Sequence, residues 1–241
     1  MTTQQHPTQT GPSQQRPPQQ RQGDVFPATM NSWIDGRLQD GAAGRQEVNR
    51  HVMDVYAFPL KVYFMGTRDR WLGEPEDVVQ GFFASRLSKT EFFHNWRSSG
   101  LRLRHWLING FCFYLKELRR AKKRALPNTS SYSDPEDEEP GPRQAFDRAY
   151  VVSLVREALK RSQTLCELEG LGAHFEIFIR HFYQGQAYGD FAKDLGVDAA
   201  RAAVMARTAR TKFQATLRGM INQDGTGSDA DEEIQALLEG D

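Results

Sequence analysis

The chain has 241 residues, 39% of them hydrophobic, with 31 Lys/Arg balancing 31 Asp/Glu. That apolar fraction is low for one compact core of this length, so part of the chain is expected to stay unfolded. Cys112 and Cys166 stand far apart with no CxxC or metal-ligand spacing, which speaks against a disulfide framework and for buried thiols in a reducing compartment. No apolar run approaches the length of a membrane span. The opening MTTQQHPTQT has neither the basic start nor the apolar middle of a secretory signal, so the expected location is cytoplasmic with no membrane segment.

The neutral total hides a segregation of charge. Residues 50–126 carry 15 Lys/Arg against 7 Asp/Glu, and residues 144–222 carry 11 against 8. Residues 127–143 carry 1 against 5, and residues 223–241 carry none against 7. Two basic modules thus alternate with two acidic connectors, a pattern that suits a polyanionic partner for the modules.

Residues 1–48 are rich in Gln, Pro, Thr, Gly and Arg and are expected to be disordered, because they offer too little apolar surface to offset ordering entropy. Residues 49–124 read as a helical module. NRHVMDVYAFPLKVYFMGT has helix-spaced apolar groups, with Pro59 kinking or starting a helix. GEPEDVVQGFFASRLS predicts a compact helix, with acids in its first turn, Pro75 at the first helical position and a stripe of Val78, Val79, Phe82, Phe83 and Leu87. The polar stretch His94–Gly100 breaks the pattern. LRLRHWLINGFCFYLKELRRAKKR then predicts one long helix, with Trp106, Leu107, Phe111, Tyr114, Leu115 and Leu118 at three- and four-residue steps and a basic end at Arg119–Arg124.

Residues 125–143 read as an extended acidic, Pro-rich linker. Residues 144–222 read as a second helical module. Within it, GDFAKDLGVDAARAAVMARTAR has the layout helix, glycine turn, helix. Phe191, Ala192 and Leu195 share one face, Gly196 takes the tight position, Val197 plugs the angle, and Asp198 caps the next helix. Val204, Phe213 and Leu217 are expected in the core. This layout is that of a helix-turn-helix, whose second helix enters the DNA major groove. The last stretch, residues 223–241, is an acidic tail with a short helical signal at Glu232–Leu238. The expected fold class is therefore all-α, as two small helical domains joined by a flexible acidic linker.

These pieces, in this order, resemble the bacterial RNA polymerase sigma factors of the extracytoplasmic-function (ECF) type, in a divergent, planctomycete-like branch. EPEDVVQGFFASRL is similar to the family's DAEDLVQETFLRL helix. RLRHWLINGFCFYLKELRRAKKR is similar to its FRAWLxxIARNxxxDxLRRxxR helix. YGDFAKDLGVDAARAAVMARTAR resembles YxEIAxxLGxSxGTVxxRxxRAR, where Gly196, Ala209 and Arg210 coincide and Asp198 replaces the capping Ser. The resemblance covers both modules and implies a sigma domain 2 helical bundle followed by a sigma domain 4 helix-turn-helix.

The resemblance implies transcription initiation, not enzymatic catalysis, with no cofactor, no metal and no catalytic residues. It implies core RNA polymerase (its β′ clamp helices and β flap) and promoter DNA as partners, and it admits an anti-sigma factor. Glu76, Asp77, Gln80 and Arg86 would dock on the polymerase. In the family the residue after the Gln is commonly Glu, where this chain has Gly81. Trp96, Arg97, Arg102, Arg104 and Trp106 would capture and flank an unstacked base of the −10 element, in a loop over His94–Arg104. Lys116, Arg119, Arg120, Lys122, Lys123 and Arg124 would meet phosphates there. Asp198, Arg201, Arg207, Arg210 and Lys212 would serve the −35 element, with Ala199, Ala200, Ala202 and Ala203 leaving few side chains to reach base edges. Two other readings stand beside this one: a helix-turn-helix regulator independent of polymerase, and a helical protein-interaction scaffold that has lost DNA binding. The six histidines form no paired-ligand or triad spacing, which argues against an enzyme.

Overall fold

The computed structural model describes residues 30–125 and 140–222, and within them every element is helical. Helix α1 spans Met30–Gln39 and α2 Gly41–Gly66; a 3-10 turn at Arg68–Leu72 leads to α3, Pro75–Leu87. Helices α4, Phe92–Ser99, and α5, Leu103–Ala125, complete the first half. The second half holds α6, Pro140–Leu168; α7, Gly172–Phe178, which runs into a π-helical turn Ile179–Tyr183; α8, Tyr188–Phe191, with a 3-10 turn Ala192–Leu195; and α9, Ala199–Asn222.

The α3 stripe is buried as its periodicity predicts: Val78, Val79, Phe82, Phe83 and Leu87 all face inward. Burying such a side chain contributes roughly 1.5–3 kcal/mol. At the centre lies Phe111 of α5, fully buried. It meets Phe82 edge-on at 5.2 Å, Tyr63 at 6.2 Å and Phe64 at 6.5 Å between ring centroids. Leu107 and Leu115 extend this side of α5, while Trp106, Tyr114 and Leu118 pack half-buried against the same core.

Helices α2 and α6 lie side by side and antiparallel. Gly66 at the end of α2 adjoins Pro142 at the start of α6, Tyr56 stacks on Tyr150 at 5.4 Å, and His51 meets Arg161. Phe146, Tyr150, Leu154 and Ala158 of α6, with Met220 and Ile221 of α9, share one cluster with α2, α3 and α5. Further along α6, Cys166 joins Phe175, Phe178 and Ala209 in a smaller cluster. One long helix therefore carries apolar groups into both halves of the chain.

Several local expectations change. The chain is helical from Met30, not disordered through residue 48: Ile34 and Val48 are fully buried, and Arg37 pairs with Asp40 (3.3 Å) and Glu47 (3.2 Å). Gly44 permits the close return of α2 onto α1, since a Cβ there would stand 1.8 Å from the Arg37 carbonyl oxygen. Pro59 starts no helix but sits buried inside α2. The helix after the acidic stretch starts at Pro140, with prolines in its first turn where a missing N–H leaves no bond unmade. Residues 1–29, 126–139 and 223–241 lie outside the described residues, and with them most of the expected disordered segment, the acidic part of the linker and the acidic tail. Neither cysteine is in a disulfide; Cys166 is buried and Cys112 half-buried, 3.1 Å from the Tyr63 hydroxyl. Among the described residues no helix is long and apolar enough to cross a membrane.

Candidate nucleic-acid interface

The stretch expected to form a base-capturing loop is instead helix, turn and helix start. Phe92, Phe93 and Trp96 form a short buried stripe on α4, and Gly100 ends that helix in the left-handed region at φ +67°. Trp96 is 2% exposed, and its indole N–H donates to the Leu101 carbonyl at 2.8 Å. Trp96 is thus a core residue that closes the α4–α5 turn, not a side chain presented to a ligand. Ser99 tightens the same turn: its hydroxyl donates to the Trp96 carbonyl (2.6 Å) and accepts from the Leu101 N–H (3.2 Å).

The arginines around it are held within the fold to differing degrees. Arg97 lies over the Trp96 ring at 4.9 Å and pairs with Asp35 at 2.9 Å. Arg104 is buried, with its guanidinium 5.7 Å from the Tyr150 ring centre. Arg102 and Trp106 are half-buried, and Trp106 leans on Phe92 at 6.2 Å. His105 is exposed, yet partial desolvation and then the charges of Arg104, Arg102 and Arg143 hold it down to about 4. Arg102, Arg104 and Arg143 thus all lie close enough to His105 to act on its charge.

Further along α5, the cations divide by face. Arg119 turns inward. Its Nε donates to Asp69 Oδ1 at 3.0 Å and its terminal nitrogen to Oδ2, with both side chains 12% exposed. Lys116, Arg120 and Lys123, at helical steps of four and three, are exposed in one stripe, with Arg124 beside them. Phe113, at the head of this stripe, is 64% exposed with Lys116 Nζ 5.8 Å from its centre. Exposed cations interleaved with an exposed ring match the chemistry of a nucleic-acid backbone and base faces.

The turn Arg68–Leu72 extends this surface and was not singled out by the sequence reading. It presents Arg68, Arg70 and Trp71 to solvent, and Lys122 Nζ lies 5.5 Å from the Trp71 ring centre. The signal was there in the sequence, as the basic–aromatic run RDRW.

The helix-turn-helix expectation finds its local geometry. Gly196 is left-handed at φ +70°, and Asp198 Oδ1 accepts the Arg201 N–H at 2.7 Å, capping α9. Phe191 and Ala192 are buried, with Leu195 and Val197 packed against them. The first helix is short, one α turn continued by a 3-10 turn. Its Tyr188 stacks on His181 of the π-helical turn at 3.9 Å, and the His181 ring Nδ1 lies 2.9 Å from the Gln186 carbonyl. Burial raises the Tyr188 hydroxyl above its ordinary range, against the opposing charges of Arg207 and Arg210.

The alanines of α9 divide as well. Ala202, Ala206 and Ala209 are fully buried and let the helix pack closely, while Ala199 and Ala200 are exposed and Ala203 is half-exposed. Arg201, Arg207 and Arg210 are exposed, Arg210 lying over Phe182 at 5.2 Å. Lys212 pairs with Glu169 at 2.5 Å. Phe213 and Leu217 pack half-buried, but Val204 is 53% exposed and belongs to the outward face, because the inward arc is filled by Ala202, Met205, Ala206 and Ala209. Val204, Arg207 and Thr211 thus share one exposed strip of α9.

On α3, Glu76, Asp77 and Gln80 are exposed on one face. Glu76 pairs with Lys61 at 2.7 Å, and this partner holds its carboxyl below the usual range. Arg86 is half-buried and pairs with Glu117 at 2.8 Å. Gly81 has a packing reason: a Cβ there would stand 2.4 Å from the Tyr114 hydroxyl. No family model matches the chain, and neither the curated proteins nor the solved structures give a match.

Proposed function

We propose that this chain is a sigma-type transcription initiation factor: it binds core RNA polymerase through the outer face of α3 and promoter DNA through α5, the adjoining Arg68–Leu72 turn and α9. The observation that supports it most is the capped, glycine-turned α9 carrying Arg201, Val204, Arg207 and Thr211 outward, in the same chain as an α5 whose exposed stripe is Lys116, Arg120 and Lys123. One such element suits many DNA-binding proteins; two, preceded by the EPEDVVQ helix, suit a factor that contacts two promoter elements. In this reading Asp77 and Gln80 supply the polymerase contact, Arg120 and Lys123 the phosphates near the −10 element, and α9 the −35 element, with an anti-sigma factor as a further candidate partner.

The test is transcription from a randomised promoter library by core polymerase with and without the chain. Initiation at a defined subset of sequences that depends on the chain supports the reading; identical transcript profiles refute it.

A second reading, a DNA-binding regulator that never touches polymerase, is favoured by one observation. Glu76 and Arg86, two of the four residues expected at the polymerase, already have partners within the fold. Stable duplex binding together with no association with core polymerase would select it.

A further inference from the structure

The outer side of the α2–α6 pair carries apolar and cationic groups that the described fold leaves uncovered. On α2, Phe58 is 39% exposed, and Met65, two turns further along the same face, is 51% exposed. On α6, Arg148, Val152, Arg156 and Lys160 follow at four-residue steps, and all four are exposed. The two rows meet where the Arg156 guanidinium lies 5.8 Å from the centre of the Phe58 ring. Neither Arg148 nor Arg156 pairs with a carboxylate among the described residues, and Lys160 reaches Glu157 only at 4.0 Å. Glu157 is already held by Arg161 at 2.9 Å. Asp54, one turn before Phe58, is the exposed acid on the α2 side. The seam is thus a short apolar strip with a cationic border.

The chain itself supplies a segment of matching chemistry. Residues 223–241 carry seven Asp/Glu and no Lys/Arg. Within them Leu237 and Leu238 stand three and four residues after Ile234, the spacing that puts apolar groups on one side of a helix, with Glu232, Glu233 and Glu239 around them. The point of departure is close. Met220 and Ile221, at the end of α9, are buried in the same cluster as Tyr56 of α2 and Leu154 and Ala158 of α6. About 12 residues lead from the end of α9 to Ile234 and reach up to ~40 Å when extended, whereas the row from Arg148 to Lys160 is about 18 Å long. A tether of that length gives an effective concentration on the order of millimolar, so a small contact area suffices. A second copy of the chain fits worse, because an isologous contact would set Arg148 and Arg156 against the same cations. A phosphate backbone would meet the cations but leave Phe58, Val152 and Met65 in water.

We infer that the α2–α6 seam is the docking surface for the chain's own C-terminal segment 232–238, with Ile234 and Leu238 covering Phe58 and Val152 and the flanking glutamates meeting Arg148 and Arg156. Docked there, the segment bridges the two helices whose pairing joins the halves of the fold. None of these residues belongs to the faces of α3, α5 or α9 assigned to polymerase and DNA, so the docking is tested without either ligand.

The experiment uses the full chain and follows amide hydrogen exchange by mass spectrometry, read on fragments covering residues 232–238. In the unsubstituted chain these amides should exchange on the order of 10-fold more slowly than in a chain carrying Glu232→Arg and Glu233→Arg, the protection of a weakly held local element. Arg148→Glu with Arg156→Glu should remove the same protection, and the chain carrying all four substitutions should regain most of it. The tail-side pair lies outside the described fold, so it reads the docking even where the α6-side pair lowers stability. Segment 232–238 exchanging as fast in the unsubstituted chain as in the Glu232→Arg, Glu233→Arg chain overturns the inference. Protection that survives Arg148→Glu with Arg156→Glu in a chain of intact helical signal overturns it as well, because the segment would then lie elsewhere. Protection that vanishes on dilution of the chain overturns it in favour of contact between copies.

Discussion

Arg119 grips the carboxylate of Asp69 with two hydrogen bonds, and this pair joins the Arg68–Leu72 turn to α5. It separates Arg119 from its neighbours in the run Arg119–Arg124, which the sequence presents as equivalent cations. Removing one partner of a mostly buried pair leaves the other charge poorly compensated, which costs about 3 kcal/mol. Arg119→Ala should therefore lower unfolding free energy by about that amount in a denaturant titration. Arg120→Ala should leave stability within about 0.5 kcal/mol and instead reduce the slope of log affinity against log salt by about one. The reverse assignment would show that Arg119, not Arg120, faces the phosphates.

Gly81 and Tyr114 form a second testable pair. Alanine is preferred over glycine inside a helix by about 1 kcal/mol, yet a Cβ at position 81 would meet the Tyr114 hydroxyl at 2.4 Å, with the next ring atom at 3.5 Å. Gly81→Ala alone should destabilise by about 1–2 kcal/mol. Adding Tyr114→Phe removes the colliding oxygen, and the double variant should regain most of that loss. Thermal unfolding of the four species of this cycle reads the coupling; additive effects would contradict the contact.

His51 makes stability depend on pH. Burial, and then the charge of Arg161, hold its folded-state value at about 3 against an ordinary 6.5. The unfolded chain thus takes up a proton between those values that the folded chain refuses. The stabilisation is fully present above pH 6.5 and is lost as pH falls toward 3. At pH 5 the loss relative to pH 7.5 is about 2 kcal/mol. Chemical denaturation at the two pH values should show this extra loss in the unsubstituted chain relative to His51→Gln. Equal pH dependence in both would mean that His51 is not held neutral.

Val204 stands on the outward strip of α9, where an apolar side chain contributes nothing to the fold's core. In a major groove such a group meets the thymine methyl. Replacing thymine by deoxyuracil in a selected duplex site should weaken binding about 3- to 10-fold. Val204→Ala should be indifferent to that replacement. Gel-shift titration of the two chains on the two duplexes gives the interaction directly, and equal sensitivity to the missing methyl would place Val204 away from the bases.

Much of the local architecture was legible. The α3 stripe, the long α5 and the Gly196–Asp198 turn follow from helical spacing and from the special needs of a left-handed position and a cap, all of which act over a few residues. Trp96 was misread because α4 is short. Its stripe of Phe92, Phe93 and Trp96 is interleaved with His94, Asn95 and Arg97, so polarity masks a buried face. Val204 was misread for the opposite reason, since an apolar side chain among alanines suggests a core that the alanines themselves fill. Nor does local pattern reveal the pairing of α2 with α6, because Tyr56 and Tyr150 find each other across the whole first half of the chain. The division of α5 cations into a paired Arg119 and an exposed Arg120 depends equally on a distant residue, Asp69.

The most direct measurement of the central claim is association with core polymerase. Purified full-length chain is mixed with core RNA polymerase and run by size exclusion, alongside a variant carrying Asp77→Lys and Gln80→Ala on the exposed face of α3. The account predicts that the unsubstituted chain migrates with the polymerase and that the folded variant does not. A chain that elutes alone in both cases, with its helical signal intact, would contradict the account.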